Sequence, residues 1–128
     1  MPFYRLSEME WKPGTVAPSK RRTVVGELMK VGVSRYEAGQ SPPAHFHPNE
    51  DQFQYLLEGN MKVVLGDEER VCQPGDVIHI PRNVRHGVMA VGGPAAFFTA
   101  KSPVGKGGME DDYNKAKDNE EVWKRLKK

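Results

Sequence analysis

The 128 residues, 38% hydrophobic and 28% charged, suit one globular domain, and 13 glycines with 10 prolines favour turns and short strands over long helices. The formal net charge of +2 is carried by residues 117–128, where Lys117, Lys124, Arg125, Lys127 and Lys128 outweigh Asp118, Glu120 and Glu121, so the body is neutral and no nucleic-acid surface is expected. Cys72 is the sole cysteine, which excludes an intrachain disulfide and a cysteine-based zinc knuckle and fits a reducing compartment. The opening Met-Pro-Phe-Tyr-Arg-Leu-Ser-Glu has no apolar signal core, and no apolar run approaches the roughly 20 residues of a membrane span, so a soluble, cytoplasmic protein is expected.

Residues 1–23, with Pro13, Gly14, Pro18 and the run Lys20-Arg21-Arg22, read as an irregular N-terminal arm of the kind that adds an edge strand or crosses to a partner. Residues 24–103 read as the body. Short strands are predicted at 24–29, 31–37, 52–58, 61–65, 69–73, 76–81, 86–90 and 95–101, a spacing of about 8 to 12 residues that indicates an all-β barrel or sandwich. Glu58-Gly59-Asn60 and Gly66-Asp67 carry hairpin chemistry, and Gln73-Pro74-Gly75-Asp76 has the Pro-Gly centre of a type II turn. Residues 104–128 read as a linker and a C-terminal helix over about 110–126, with Tyr113, Ala116, Glu120, Trp123 and Leu126 near one face, packed on the outside of the barrel.

The chemistry concentrates between Gly39 and Gly59. His45 and His47, separated by one residue, point to the same side of an extended segment because strand side chains alternate. Both imidazoles can then reach one ion, and neutral imidazole is a ligand for zinc, copper, iron and nickel, while manganese accepts mixed imidazole and oxygen shells. Gln52 opens the next strand and can return an amide oxygen. His86, after another strand and turn, supplies a third imidazole. Asp51 is the rival oxygen ligand, but alternation turns it away if Gln52 faces inward with Gln54 and Leu56.

These two stretches resemble the paired signature motifs of the cupin superfamily. The first is Gly, five residues, His-x-His, three or four residues, Glu, six residues, Gly; Gly39, His45, His47, position 52 and Gly59 match its spacing, with Gln52 in place of Glu. The second is Gly, five residues, Pro-x-Gly, two residues, His, three residues, Asn; Gly75, Pro81 and His86 fit, Asn83 stands for the second Gly and Ala90 for the Asn. The 15 residues Asn60 to Pro74 between them resemble the compact hairpin of small microbial, RmlC-like cupins. The resemblance covers residues 24–101. It implies a cupin double-stranded β-helix, or jelly-roll barrel, with one divalent transition metal (Mn, Fe, Ni, Zn or Cu) held by His45, His47, Gln52 and His86, and a homodimer built on edge strands or the N-terminal arm.

A neutral Gln52 oxygen leaves the ion its full charge, which makes it a stronger Lewis acid than a three-His, one-Glu shell would and holds it less tightly. Strand parity offers Arg35, Gln54, Thr99, Lys101 and His79 as further cavity residues; Arg35, Gln54 and Lys101 are the catalytic candidates, and inward-facing Arg35 and Lys101 would imply an anionic substrate. Their structural alternatives are solvated cations for Arg35 and Lys101 and a hydrogen-bonded barrel histidine for His79, with Phe46, Phe53, Tyr55, Phe97 and Phe98 as packing. The ligand set is similar to that of small cupins that linearise unsaturated uronate sugars, which implies isomerase or lyase chemistry. Those proteins carry an acid and an aromatic before a closing Ser-Pro, whereas Phe97-Phe-Thr99-Ala-Lys101-Ser-Pro103 has Thr and Lys, so only the metal ligands carry over. Isomerase, lyase or dioxygenase work on a small oxygenated, anionic metabolite is therefore the expectation, with a non-catalytic cupin that binds a sugar or organic acid as the alternative.

Overall fold

The computed structural model describes residues 3–14, 19–106, 108 and 112–128. Among them are nine strands: β1 (Lys12–Pro13), β2 (Lys20–Val25), β3 (Lys30–Tyr36), β4 (His45–Phe46), β5 (Asp51–Leu65), β6 (Glu68–Cys72), β7 (Val77–Ile80), β8 (His86–Ser102) and β9 (Asn114–Lys115), followed by one helix, α1 (Asn119–Lys127). All pairings are antiparallel, in the order β1-β2-β3-β8-β4-β9, with β5 joined to β6, β7 and β8. The all-β class with a C-terminal helix is as the sequence indicates. No described helix is long and apolar enough to cross a membrane.

Two long strands organise the sheet. The expected hairpin at Glu58-Gly59-Asn60 does not form; β5 runs on for 15 residues through bulges at Leu56/Glu58 and Glu58/Asn60, and β8 runs for 17 through Gly92-Gly93-Pro94. Gly59, at φ 76°, is the reason β5 can pass: a side chain there would collide with the Pro94 carbonyl oxygen of β8. The other turns form as read, with Gly66 and Gly75 both at positive φ and the Asp76 amide donating to the Gln73 carbonyl at 3.0 Å. Burial alternates along β5, with Gln52, Gln54, Leu56 and Met61 inward, so the curled sheet closes over Tyr36, Leu56, Met61, Ile80, Val88, Phe97 and their neighbours.

The ends depart from expectation. Lys20-Arg21-Arg22 is not irregular: it forms β2, paired in register with β3, and Trp11 beside β1 lies under the Arg22 guanidinium at 3.8 Å. Met1, Pro2 and residues 15–18 of the arm lie outside the described residues. The helix is shorter than predicted, starting at Asn119; Glu110 and Asp111 lie outside the described residues, and Asn114–Lys115 instead pairs with His45–Phe46. Its buried residues are Val122 and Leu126, packed with Ala44, Val64, Met89 and Ala116, while Trp123 is 44% exposed under Lys127, so the face assigned to Trp123 is corrected by one position. Gly87 admits this packing, since a Cβ there would stand 2.8 Å from Val122 Cγ1.

Candidate metal centre

Three histidines converge at one end of the barrel. His45 on β4 pairs directly with His86 at the start of β8, and His47 follows one residue past β4. Their ring centroids lie 4.4 to 5.2 Å apart, and one ligand nitrogen from each falls within 4.8 Å of the others. Each ring is oriented by a backbone carbonyl: His45 Nδ1 donates to Pro43 at 2.8 Å, His47 Nδ1 to Asp112 at 3.2 Å and His86 Nδ1 to Val84 at 3.1 Å. Carbonyls only accept, so the proton sits on Nδ1 in all three and each Nε2 carries the ring's lone pair. Tyr113 stacks on His45 at 4.3 Å, with its hydroxyl donating to the same Pro43 carbonyl.

Burial disfavours the charged form of two of these rings, His47 and His86. The His47 pKa is lowered to about 3, first by burial and then by the charges of Lys101 and His45, against a smaller opposing pull from the Asp112 carbonyl. His86 is pushed well below the ordinary histidine range, chiefly by burial and then by His45. Asn83, which stands for a motif glycine, adopts φ 68° and donates its amide to the His47 carbonyl at 2.9 Å, so the turn before His86 is pinned to the first motif.

Gln52 is buried on the inner face of β5 and donates Nε2 to Thr99 Oγ1 at 3.0 Å. That bond turns Oε1 the other way, where it has no hydrogen-bond partner among the described residues; neither has His47 Nε2. Two buried, unpartnered acceptors beside two further imidazoles fit a cation with a neutral shell. Asp51 points outward and binds His79 Nε2 at 2.7 Å, and His79 also stacks on Phe53, so neither Asp51 nor His79 reaches the cavity.

Gln54, Thr99 and Lys101 face inward, lining a cavity of about 70 Å³ with the histidines and Gln52. Arg35 does not. In β3 the inward residues are Lys30, Gly32, Ser34 and Tyr36, so Arg35 falls on the outer face and pairs with exposed Glu58 at 2.7 Å; its place in the cavity is corrected by one step of parity. Sequence reading missed its counterpart Arg21, which is paired with Ser34 and lines the cavity, because the run containing it was assigned to the arm.

It also missed the support behind His47. Lys30 is fully buried, forms an ion pair with Glu50 at 2.6 Å and donates to the Val104 and Gly108 carbonyls. Glu50 also lies 3.8 Å from Lys101 and 4.0 Å from His47 Nδ1. Asp112 accepts from the Asn49 amide at 2.6 Å, its side chain at 2.9 Å and the Glu50 amide at 3.0 Å; burial works against its charge, yet these bonds win and hold its carboxyl below the ordinary range. The pairing of distant Lys30, Glu50 and Lys101 leaves no periodic trace in a sequence. Glu50, between the motif residues His47 and Gln52, was the available signal.

Comparison with known proteins agrees with this geometry. Residues 32–100 match the family described as a cupin domain. No curated protein matched. Among solved structures, KdgF from Halomonas sp. is similar at 24% identity and TM-score 0.74, covering 79% of this chain and 92% of that one. An RmlC-like cupin from Shewanella frigidimarina matches at 21% identity and TM-score 0.73, covering 87% and 95%. The polyketide cyclase RemF from Streptomyces resistomycificus matches at 21% and 0.70, covering 88% and 89%. At these identities the likenesses establish the fold, and with the family match spanning more than half of the sequence, the chain belongs to the cupin family.

Proposed function

We propose that this cupin is a metal-dependent enzyme acting on a small oxygenated, anionic metabolite, by isomerase- or lyase-type chemistry in preference to dioxygenation. The observation that carries the reading is the convergence of three imidazoles whose Nδ1 atoms are fixed on backbone carbonyls, with buried His47 Nε2 and Gln52 Oε1 both lacking a hydrogen-bond partner among the described residues. His45, His47, His86 and Gln52 would hold one Mn, Fe, Ni, Zn or Cu ion. When bound by four neutral ligands, such an ion supplies a Lewis acid of undiminished charge to a carbonyl or hydroxyl oxygen. The chain's own contribution is positional: Thr99 orients the Gln52 amide, and Lys101, anchored near Glu50, offers a cation to the substrate.

A second reading, a non-catalytic cupin that captures a sugar or organic acid, is favoured by one observation. Among the described residues lining the cavity there is no carboxylate to carry a proton. The outer sheet face supports a homodimer, since Phe53, Tyr55, Leu57 and Val77 are all 44–61% exposed there. The single buried Cys72 supports a reducing, cytoplasmic setting.

Elemental analysis of untagged protein tests the metal. About one equivalent per chain is expected in the native protein or after incubation with Mn, Fe, Ni, Cu or Zn, with loss in His47→Ala. Substoichiometric metal under every condition would overturn the reading. Turnover in a screen of keto acids, uronates and diphenols separates the enzyme from the module, which would bind one compound tightly and convert none.

A further inference from the structure

We infer that the groove between the last turn of α1 and the outer face of β5, β6 and β8 binds a small amphipathic carboxylate, an acyl or aryl chain bearing one acid group. Its apolar body lies on Met89, Val91 and Trp123, and its carboxylate meets Lys62, Lys127 and Lys128. The groove is separate from the metal centre, and the assignment stands whatever the histidines hold.

Strand alternation builds the floor. Along β5, Met61 and Val63 belong to the barrel core, so Lys62 points outward, and the register sets Val71 of β6 and Met89 of β8 on either side of it. The helix covers only part of this outer face. Val122 and Leu126 close over Gly87 and pack with Val64 and Met89, whereas Val71 stays 59% exposed and Trp123 44%. What is left is a groove of about 520 Å³, bounded also by Gly39 and Gly92. Both glycines have positive φ, and a Cβ on either would meet nothing within 4 Å, so the backbone leaves that part of the groove open. The Gly39 amide donates to the Ala90 carbonyl at 2.8 Å, which fastens this boundary to β8.

The charges around this floor have one sign. Lys62, Lys127 and Lys128 line the groove, no Asp or Glu side chain does so among the described residues, and none of the three lysines forms an ion pair with a described residue. Lys62 is half-buried between two apolar neighbours. The Lys127 ammonium lies over the Trp123 ring at 4.1 Å, a contact that supplies no counter-ion. Three ammonium groups beside an apolar floor call for an anion, and a carboxylate accepts their N–H bonds as well as answering their charge. The floor itself calls for hydrocarbon, because Val71, Met89, Val91 and Trp123 gain by leaving water only against an apolar surface. A concave site of this volume falls in the range that takes a small molecule.

Titration of the full chain with matched probes tests the site: octanoate, octanol without the charge, octylammonium with the opposite charge, and acetate without the chain. Calorimetry reads the affinity. Trp123 emission in Trp11→Phe, which leaves Trp123 as the sole tryptophan, reports the place of binding. Octanoate is expected to shift that emission and to bind about 5- to 20-fold more tightly than octanol, and more tightly still than the other two. The preference should shrink as salt is raised. Lys62→Gln and Lys127→Gln should each weaken octanoate about 2- to 5-fold and leave octanol unchanged, whereas Val91→Asp should weaken both. Equal binding of octanoate and octanol, an unmoved Trp123 emission, affinities unchanged in the variants, or no binding at millimolar concentration would overturn the assignment. Binding of phosphatidylglycerol vesicles without octanoate binding would overturn it in favour of a membrane surface. Self-association abolished by Val71→Glu, again without octanoate binding, would overturn it in favour of a second copy of the chain.

Discussion

Gln52 Nε2 donates to Thr99 Oγ1 at 3.0 Å, and this one bond decides which end of the buried amide is left without a partner. Thr99→Val keeps the shape of the side chain and removes the acceptor. Metal affinity should fall about 10- to 100-fold, with the melting temperature of the metal-free protein little changed. Competition against a chromophoric chelator reads the affinity, and an unchanged value would remove Thr99 from the account.

Acid should unfold the metal-free protein earlier than its carboxylates alone require. His47 has a folded pKa of about 3, and the unfolded chain takes up that proton near the ordinary histidine value of about 6.5. The unfolded state therefore binds more protons throughout this window. The stabilising contribution is complete above about pH 6.5 and is lost as the pH falls toward 3. Urea denaturation of chelator-treated protein from pH 7.5 to 4.5 should show stability declining with pH, and His47→Gln should flatten the decline. An equal slope in the variant would contradict the assignment.

Lys30 and Glu50 are buried at 0% and 2% side-chain exposure. Lys30→Met strands a buried carboxylate and should cost about 3–5 kcal/mol, measured by urea denaturation. Adding Glu50→Gln should restore a good part of that loss, because the unpaired charge is then gone. Additive losses in the double variant would mean the pair contributes through packing alone.

Tyr55 on β5 is flanked across the sheet by Val77 on β7 and Phe98 on β8, in an apolar stripe on the outer face. Light scattering should give twice the 14.4 kDa chain mass for the native protein and the single mass for Tyr55→Glu. A monomeric native protein would refute the pairing.

Much of this molecule is legible in its residues, and the failures have physical causes. The convergence of His45, His47 and His86 is legible because their spacing follows a motif that packing alone does not require. Gln52 is readable through strand parity from Leu56. Parity failed at Arg35, where the phase of β3 was taken one residue out; buried Tyr36 and Gly32 set the true phase, but a glycine carries no hydropathy signal to fix it. Gly59 resembled a hairpin glycine because positive φ serves a turn and a strand bulge alike. The segment after Ser102 resembled a longer helix because Tyr113 and Ala116 fit a helical period, yet they are held by His45 and by the Ala44 carbonyl, contacts set by the folded barrel and not by local propensity.

Asp112 has a consequence for where this protein's individuality resides. It lies beyond the stretch shared with the family, as do Arg21, Lys30 and Lys101. The common segment supplies the proposed metal ligands, while groups that aim His47 and line or back the cavity come from flanking strands and the C-terminal segment. A minimal fragment cut to the shared boundaries would keep all four proposed ligands and lose the Lys30 ion pair and the Asp112 contacts behind His47. Relatives with identical ligand sets can thus diverge in ligand choice through their flanks, and sequence comparison of those flanks, aligned by strand register, is the place to look for kin with the same specificity.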